Sequence, residues 1–202
     1  MAVILLWVAA FGFGYVGLWR YSYTPGVAGN APLKWPDASN ITRISNHPTL
    51  VMVFHPHCPC SRASVGELAL LMAHQSRELH AIVIFVDPPG MPDTWARTDL
   101  WASVGRIPGV ERLLDSGREA QVFGAATSGQ AMLYDEGGNL TFSGGITAAR
   151  GHFGDNAGLN TIISMLDRQH LGNGAPSQSA TFGCPLFDAH ATRMGGERKC
   201  YR

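Results

Sequence analysis

Two imidazoles and two thiols lie within six residues of this chain, His55-Pro56-His57-Cys58-Pro59-Cys60, and Ser61-Arg62 follow directly. The thiolate is the reactive form of cysteine, whether it acts as a nucleophile or as a metal ligand. Its availability depends on position. Before the motif, Leu50-Val51-Met52-Val53-Phe54 is a short apolar run of the kind that forms a buried strand; after it, Val65, Leu68, Leu71 and Met72 recur at helical spacing. A thiol at a strand-to-helix turn meets unpaired backbone N–H groups and the positive end of a helix dipole, both of which favour an anion. Cys58 is therefore the candidate nucleophile, with His55, His57 and Arg62 as nearby sources of positive charge.

The neighbouring residues leave several roles open. A Cys58–Cys60 disulfide would close a very small, strained and easily reduced ring. Either Cys60 or the distant Cys184 could resolve a mixed disulfide, and Cys184 could instead pair with Cys200 to staple the tail. Ser61, at a helix start, can cap N–H groups and also hydrogen-bond the Cys58 thiolate. The same loop supports a second chemistry, since two thiolates and two imidazoles suit Cu(I) or Zn. His55, His57, Cys58 and Cys60 form that alternative ligand set.

The rest of the chain must position this loop. Its 202 residues suffice for one domain with appendages. Lys plus Arg and Asp plus Glu both number 15, so no broad basic surface for nucleic acid is expected. Four cysteines are too few for a disulfide-built scaffold of this length. Residues Ala2 to Trp19 carry no charge, and as a helix they would span roughly 27 Å, close to a bilayer core. Trp19, Tyr21 and Tyr23 suit an interfacial aromatic belt. Arg20-Tyr21-Ser22-Tyr23-Thr24-Pro25 makes a poor cleavage site, so residues 1–22 are expected to be an uncleaved anchor. Arg20 taken alone would place the domain in the cytoplasm. A thiol pair works more often on the oxidising side, and the outer, periplasmic face is expected.

Residues 23–47, with Pro25, Pro32 and Pro36, read as a linker. Strands are expected at Thr49–Phe54, His80–Val86 and Val110–Leu114, and at Gln130–Tyr134 and Leu140–Phe142 around an Asp135-Glu136-Gly137-Gly138-Asn139 hairpin turn. Helices are expected from Pro59 to about Ser76, from Trp95 to about Arg106 with Asp93 or Thr94 as cap, briefly across Gly117–Phe123, and from Asn156 to about Arg168. Alternating strands and helices imply a three-layer α/β/α sandwich on a mixed sheet over residues 48–170. Residues 171–202 form an extended polar tail.

A cysteine after the first core strand, with Gly66-Glu67-Leu68 following Cys58-Pro59-Cys60-Ser61 on the helix, resembles a thioredoxin-like domain of the membrane-anchored TlpA/ResA type. A second match is Gly129-Gln130-Ala131-Met132-Leu133-Tyr134-Asp135-Glu136-Gly137-Gly138. With Gly144-Gly145-Ile146-Thr147-Ala148-Ala149-Arg150-Gly151-His152, the pattern is similar to the RedB-like proteins. The resemblance implies a thioredoxin-like fold, Cys58 as the attacking cysteine, and thiols or disulfides of proteins or of a membrane redox partner as substrates. Ser61 stands where the usual resolving cysteine would be, and Gly129 where a cis-proline would be. In such a layout Thr127, Ser128 and Gly129 line the substrate surface, and Arg150 and His152 lie beside the thiol. The resemblance implies no cofactor; the alternatives are a Cu(I) chaperone or a degenerate domain kept for protein interaction.

Overall fold

β1 (Thr49–Phe54) is buried at every position because neighbours cover both its edges and both its faces. The structure, a computed structural model, describes residues 1–75, 78–167 and 175–187. β1 pairs in parallel with β2 (His80–Val86) and antiparallel with β4 (Gln130–Tyr134). β3 (Val110–Asp115) extends the parallel side beyond β2, and β5 (Leu140–Gly144) pairs antiparallel with β4. A two-residue β6 (Ser177–Gln178) from the tail completes the order β3-β2-β1-β4-β5-β6. Parallel neighbours need crossovers, which α2 (Ser61–Gln75) and α3 (Asp99–Val104) supply.

Side-chain alternation along β1 divides the core in two. Leu50, Met52 and Phe54 point into one cluster with Leu68 and Leu71 of α2 and with Leu159 and Ile162 of α5 (Ala157–Asp167). Val51 and Val53 point into the other, with Ala120 of α4 (Arg118–Val122) and Phe123. The second cluster is closed by chain outside the βα units. Trp35 from the linker packs edge-on against Phe123 and Tyr134, and Leu186 and Phe187 from the tail are buried beside them. Each fully buried side chain of this size contributes about 1.5–3 kcal/mol. The result is an α/β fold with helices on a mixed sheet, preceded by α1 (Ala2–Tyr23), a 22-residue apolar helix with no buried residue that is long and apolar enough to cross a membrane.

Two expected helix starts shift. α2 begins at Ser61, not Pro59, because the N–H groups of Ser61, Arg62 and Ala63 bond three residues back to Cys58, Pro59 and Cys60 as a tight turn. α3 begins at Asp99, not Trp95. Its cap is Thr98, whose Oγ1 accepts from the Trp101 N–H, while residues before it are taken up by turns such as Trp95 N–H to Pro92 O. The expected ends at Ser76 and Arg168, the end of the domain at 170, the start of the tail at 171 and Cys200 with its proposed pairing to Cys184 lie outside the described residues.

Candidate active site

The site is assembled at the C-terminal end of β1. There the strand's hydrogen bonding stops and loops must satisfy the backbone. Gly129 N–H still bonds Val53 O (2.8 Å), and the next donor, His55 N–H, turns to the Ser128 hydroxyl (2.8 Å). Ser128 Oγ lies 2.8 Å from Ser61 Oγ, joining the loop before β4 to the first residue of α2. Gly129 takes φ +92°, a left-handed value that disfavours a side chain, and a Cβ there would press on Ser64 Oγ. All peptide bonds in the described residues are trans.

Cys58 sits in the turn between β1 and α2, 3% exposed. What covers it is the tail. Ser128 N–H bonds Cys184 O (2.8 Å), Leu186 N–H bonds Ala126 O (2.9 Å), and Thr127 and Pro185 form an antiparallel bridge. Residues 183–186 thus lie along Ala126–Ser128 as a short strand-like strap. The approach is close: a Cβ on Gly183 would collide with the Ser128 carbonyl oxygen. Leu186, fully buried, anchors the strap's end. Arg150 holds its start through a hydrogen bond from Nη1 to Gly183 O. The strap brings Cys184 onto Cys58, whose Sγ accepts the Cys184 N–H at 3.4 Å.

These contacts set the thiol chemistry. The Cys184 thiol, hydrogen-bonded to Cys58, is the largest influence holding the Cys58 thiol down to about 4. Burial opposes this, and the Ser61 hydroxyl and the backbone N–H groups of Cys184 and Ser61 reinforce it. Cys184 moves the opposite way, raised first by that hydrogen bond and then by burial and the Cys58 charge. One proton is thereby kept on Cys184 and shared towards a Cys58 thiolate. Cys60 is also buried, and its thiol is pushed up by burial and by Cys58, against the pull of the Arg150 guanidinium. The three cysteines are free thiols.

The remaining sequence-selected residues divide. Thr127 is buried, with Oγ1 donating to Val27 O of the linker (2.8 Å). Arg150 joins the thiols. His152 does not: it is exposed, its Nδ1 lies 3.0 Å from Arg150 O, and its ring is 6.0 Å from that of Tyr23. His55 is buried and its Nδ1 accepts the His57 N–H, while both imidazoles pack on Trp95 at 5.6 and 4.9 Å. Among the described residues, no group of three or more His, Cys, Asp or Glu side chains is arranged to hold a metal ion.

Two contributors were not singled out from the sequence, and Ser128, expected on the substrate surface, has a bridging role between β1 and α2 that no local signal announces. Trp95, as the platform for both histidines, lies in a turn-rich stretch with no apolar period. The strap did leave a signal: Leu186-Phe187 is an apolar pair in an otherwise polar tail.

No protein-family model matches the chain, and no curated protein matches it. Solved structures do. An uncharacterised conserved protein from Geobacillus kaustophilus is 18% identical with a TM-score of 0.57, covering 81% of this chain and 91% of its own. A hypothetical protein from Sinorhizobium meliloti 1021 is 19% identical with a TM-score of 0.55, covering 81% and 94%. The exposed lipoprotein thioredoxin (Etrx1) of Streptococcus pneumoniae strain TIGR4 is 14% identical with a TM-score of 0.45, covering 61% and 86%. At their identities the first two likenesses show the fold alone.

Proposed function

We propose that the chain is a membrane-anchored thiol–disulfide oxidoreductase of the TlpA/ResA type, within the RedB-like group, in which Cys58 is the nucleophile and Cys184 the partner thiol. The observation that carries this reading is the Cys184 N–H on Cys58 Sγ, with the Ser61 hydroxyl on the same sulfur. A lowered thiol pKa beside a second, protonated thiol is what exchange chemistry needs. The Cys58 thiolate attacks one sulfur of a protein disulfide, forming a mixed disulfide and releasing the other sulfur as a thiolate. That thiolate takes up the proton given up by Cys184. The Cys184 thiolate then attacks the Cys58 sulfur, forming Cys58–Cys184 and releasing the second substrate sulfur as a thiolate. The protein dithiol loses two electrons and the substrate disulfide gains them; the reverse course oxidises a substrate dithiol.

Cys184 suits the resolving role better than Cys60. A Cys58–Cys60 ring would be strained, whereas the strap holds Cys184 against the Cys58 sulfur. The α1 helix supplies the anchor, and the domain works on the outer, periplasmic face, where disulfides persist. Because the strap covers Cys58, an incoming substrate must displace residues 183–185 before attack. Mild oxidation followed by peptide mapping tests the pairing. A Cys58–Cys184 disulfide that disappears in Cys58→Ser is expected; a Cys58–Cys60 disulfide, or none, would overturn it. The alternative, Cu(I) carriage on His55, His57, Cys58 and Cys60, requires the loop to leave Trp95, and anaerobic Cu(I) titration distinguishes it.

A further inference from the structure

The linker reveals which end of the domain α1 reaches. Just past α1, Gly26 N–H bonds Thr181 O (2.8 Å), beside the strap. The chain then passes Gly124, where Asn30 N–H bonds the carbonyl (2.8 Å), and arrives at the β4–β5 turn, where Trp35 N–H bonds Gly138 O (2.7 Å) and Lys34 bridges to Asn139. β4 runs antiparallel to β1, with Thr49 opposite Tyr134 and Val53 opposite Gln130. The β4–β5 turn is therefore at the end of the sheet away from Cys58, and the linker begins at the thiol end.

The end of α1 is itself tied to that end. Ser22 O accepts the Arg150 N–H (3.0 Å), the Arg150 guanidinium lies 5.1 Å over the Tyr21 ring, and Tyr23 faces His152. This is the same Arg150 that holds the strap and lies close enough to Cys60 and Cys184 to bear on their titration. Next to it Phe153 is 60% exposed. Its ring is seated on α2, since a side chain at Gly66 would run into it. Trp19, Tyr21 and Tyr23 are exposed along the last turns of α1. Aromatic side chains prefer the bilayer interface, where the apolar faces of interfacial helices bury roughly 5–10 Å deep.

We propose that, with α1 in a bilayer, loop Arg150–Gly154 rests in the lipid interface with Phe153 inserted, so that the thiol end of the domain faces the membrane. This rests on the anchor reading above. The reacting partner is then a disulfide or dithiol presented at the membrane surface by an integral membrane protein. The far end of the sheet, a strand length or about 20 Å away, faces the aqueous phase.

Fluorophore depth in nanodiscs tests the placement. The full chain, with Cys58, Cys60, Cys184 and Cys200 replaced by Ser, carries an environment-sensitive label at Trp7→Cys, Phe153→Cys or Glu136→Cys, and spin-labelled lipids serve as quenchers. The label at 153 is expected to be blue-shifted and quenched, that at 136 water-like and unquenched, and that at 7 strongly quenched. Quenching at 7 with 153 as unquenched as 136 overturns the docking and leaves the anchor standing. No quenching at 7 overturns the anchor and the docking together, while the oxidation mapping still judges the thiol pair separately. A second measurement tests the partner. A pyridyl disulfide on a lipid headgroup should be attacked by the Cys58 thiolate, with pyridine-2-thiolate leaving, faster than the same group on a soluble carrier. Leu186→Asp, which frees the strap, should keep that preference. Equal rates on both carriers in both proteins would overturn it.

Discussion

At the far end of the sheet the β4–β5 turn closes on itself over a few residues, with the linker laid against it at Lys34 and Trp35. Asp135 O accepts the Gly138 N–H, and both Asp135 carboxylate oxygens accept from the Asn139 amide. Leu79 N–H bonds Gln75 O, and His80 N–H bonds Pro48 O to start β2. At the thiol end the partners are distant in sequence: His55 with Ser128, Ser128 and Cys58 with Cys184, Arg150 with Ser22 and Gly183. A locally closed end opens only when the sheet does. An end made from a strap can open by itself, at a fraction of the global stability. Opening the strap alone would uncover Cys58 while the sheet stays closed.

The largest expected effect comes from breaking that strap. Leu186 is its buried anchor, and Leu186→Asp would place a carboxylate in the apolar cluster with Phe123 and Tyr134. Loss of about 2–3 kcal/mol of local holding energy corresponds to on the order of 100-fold more open strap. Maleimide modification of Cys58 should accelerate accordingly. Gly183→Val, which collides with the Ser128 carbonyl, should act in the same direction. Unchanged rates in both variants would mean that the strap does not gate the thiol.

The next effect is on ionisation. Cys58 is lowered and Cys184 raised, with the hydrogen bond between them as the leading cause of both. A lowered thiol is a thiolate at every pH above its folded value, so the wild type should show thiolate absorption persisting well into acid. Cys184→Ala removes the leading contribution, and the inflection should move up by more than about one unit, a tenfold loss of thiolate in the window between the two values. Ser61→Ala removes a lesser one, so its shift should be in the same direction and smaller, within the about 1.5–3 kcal/mol of a hydrogen bond to a charged group. An inflection unmoved by Cys184→Ala would break the thiol pair.

The two ends also differ in how far they could be read from residue order. The hairpin was legible because its turn chemistry is local: Asp135, Gly138 and Asn139 carry it within five residues. β1 and β2 were legible through unbroken apolar runs, and the position of Cys58 followed from the strand before it and the helix after it. The identity of its partner did not follow. Cys60 and Cys184 were equal candidates by type, and only the packing of Leu186 beneath α4 and the Gly183 approach to Ser128 bring one of them onto the sulfur. The two helix starts moved because tight i-to-i−3 turns satisfy the same donors that a helix would. The two histidines were grouped with the thiols by spacing, and Trp95, forty residues away, draws their rings elsewhere.

The smallest predicted effect separates the two ends most directly. Asn139→Ala removes the side-chain amide bonds to Asp135 and leaves the backbone bonds of the turn in place, so it should lower unfolding stability by about 1 kcal/mol. Nothing it touches reaches Cys58, Cys184 or Arg150. The thiolate inflection and the maleimide rate should therefore equal those of the wild type, even though the protein as a whole is less stable. If modification of Cys58 required global unfolding, that same loss would raise its rate about fivefold. Combined with Leu186→Asp, the two stability losses should add, because sites without shared partners are independent. A faster Cys58 reaction in Asn139→Ala alone would show that the thiol is exposed by opening the whole sheet, and the strap would cease to be the gate.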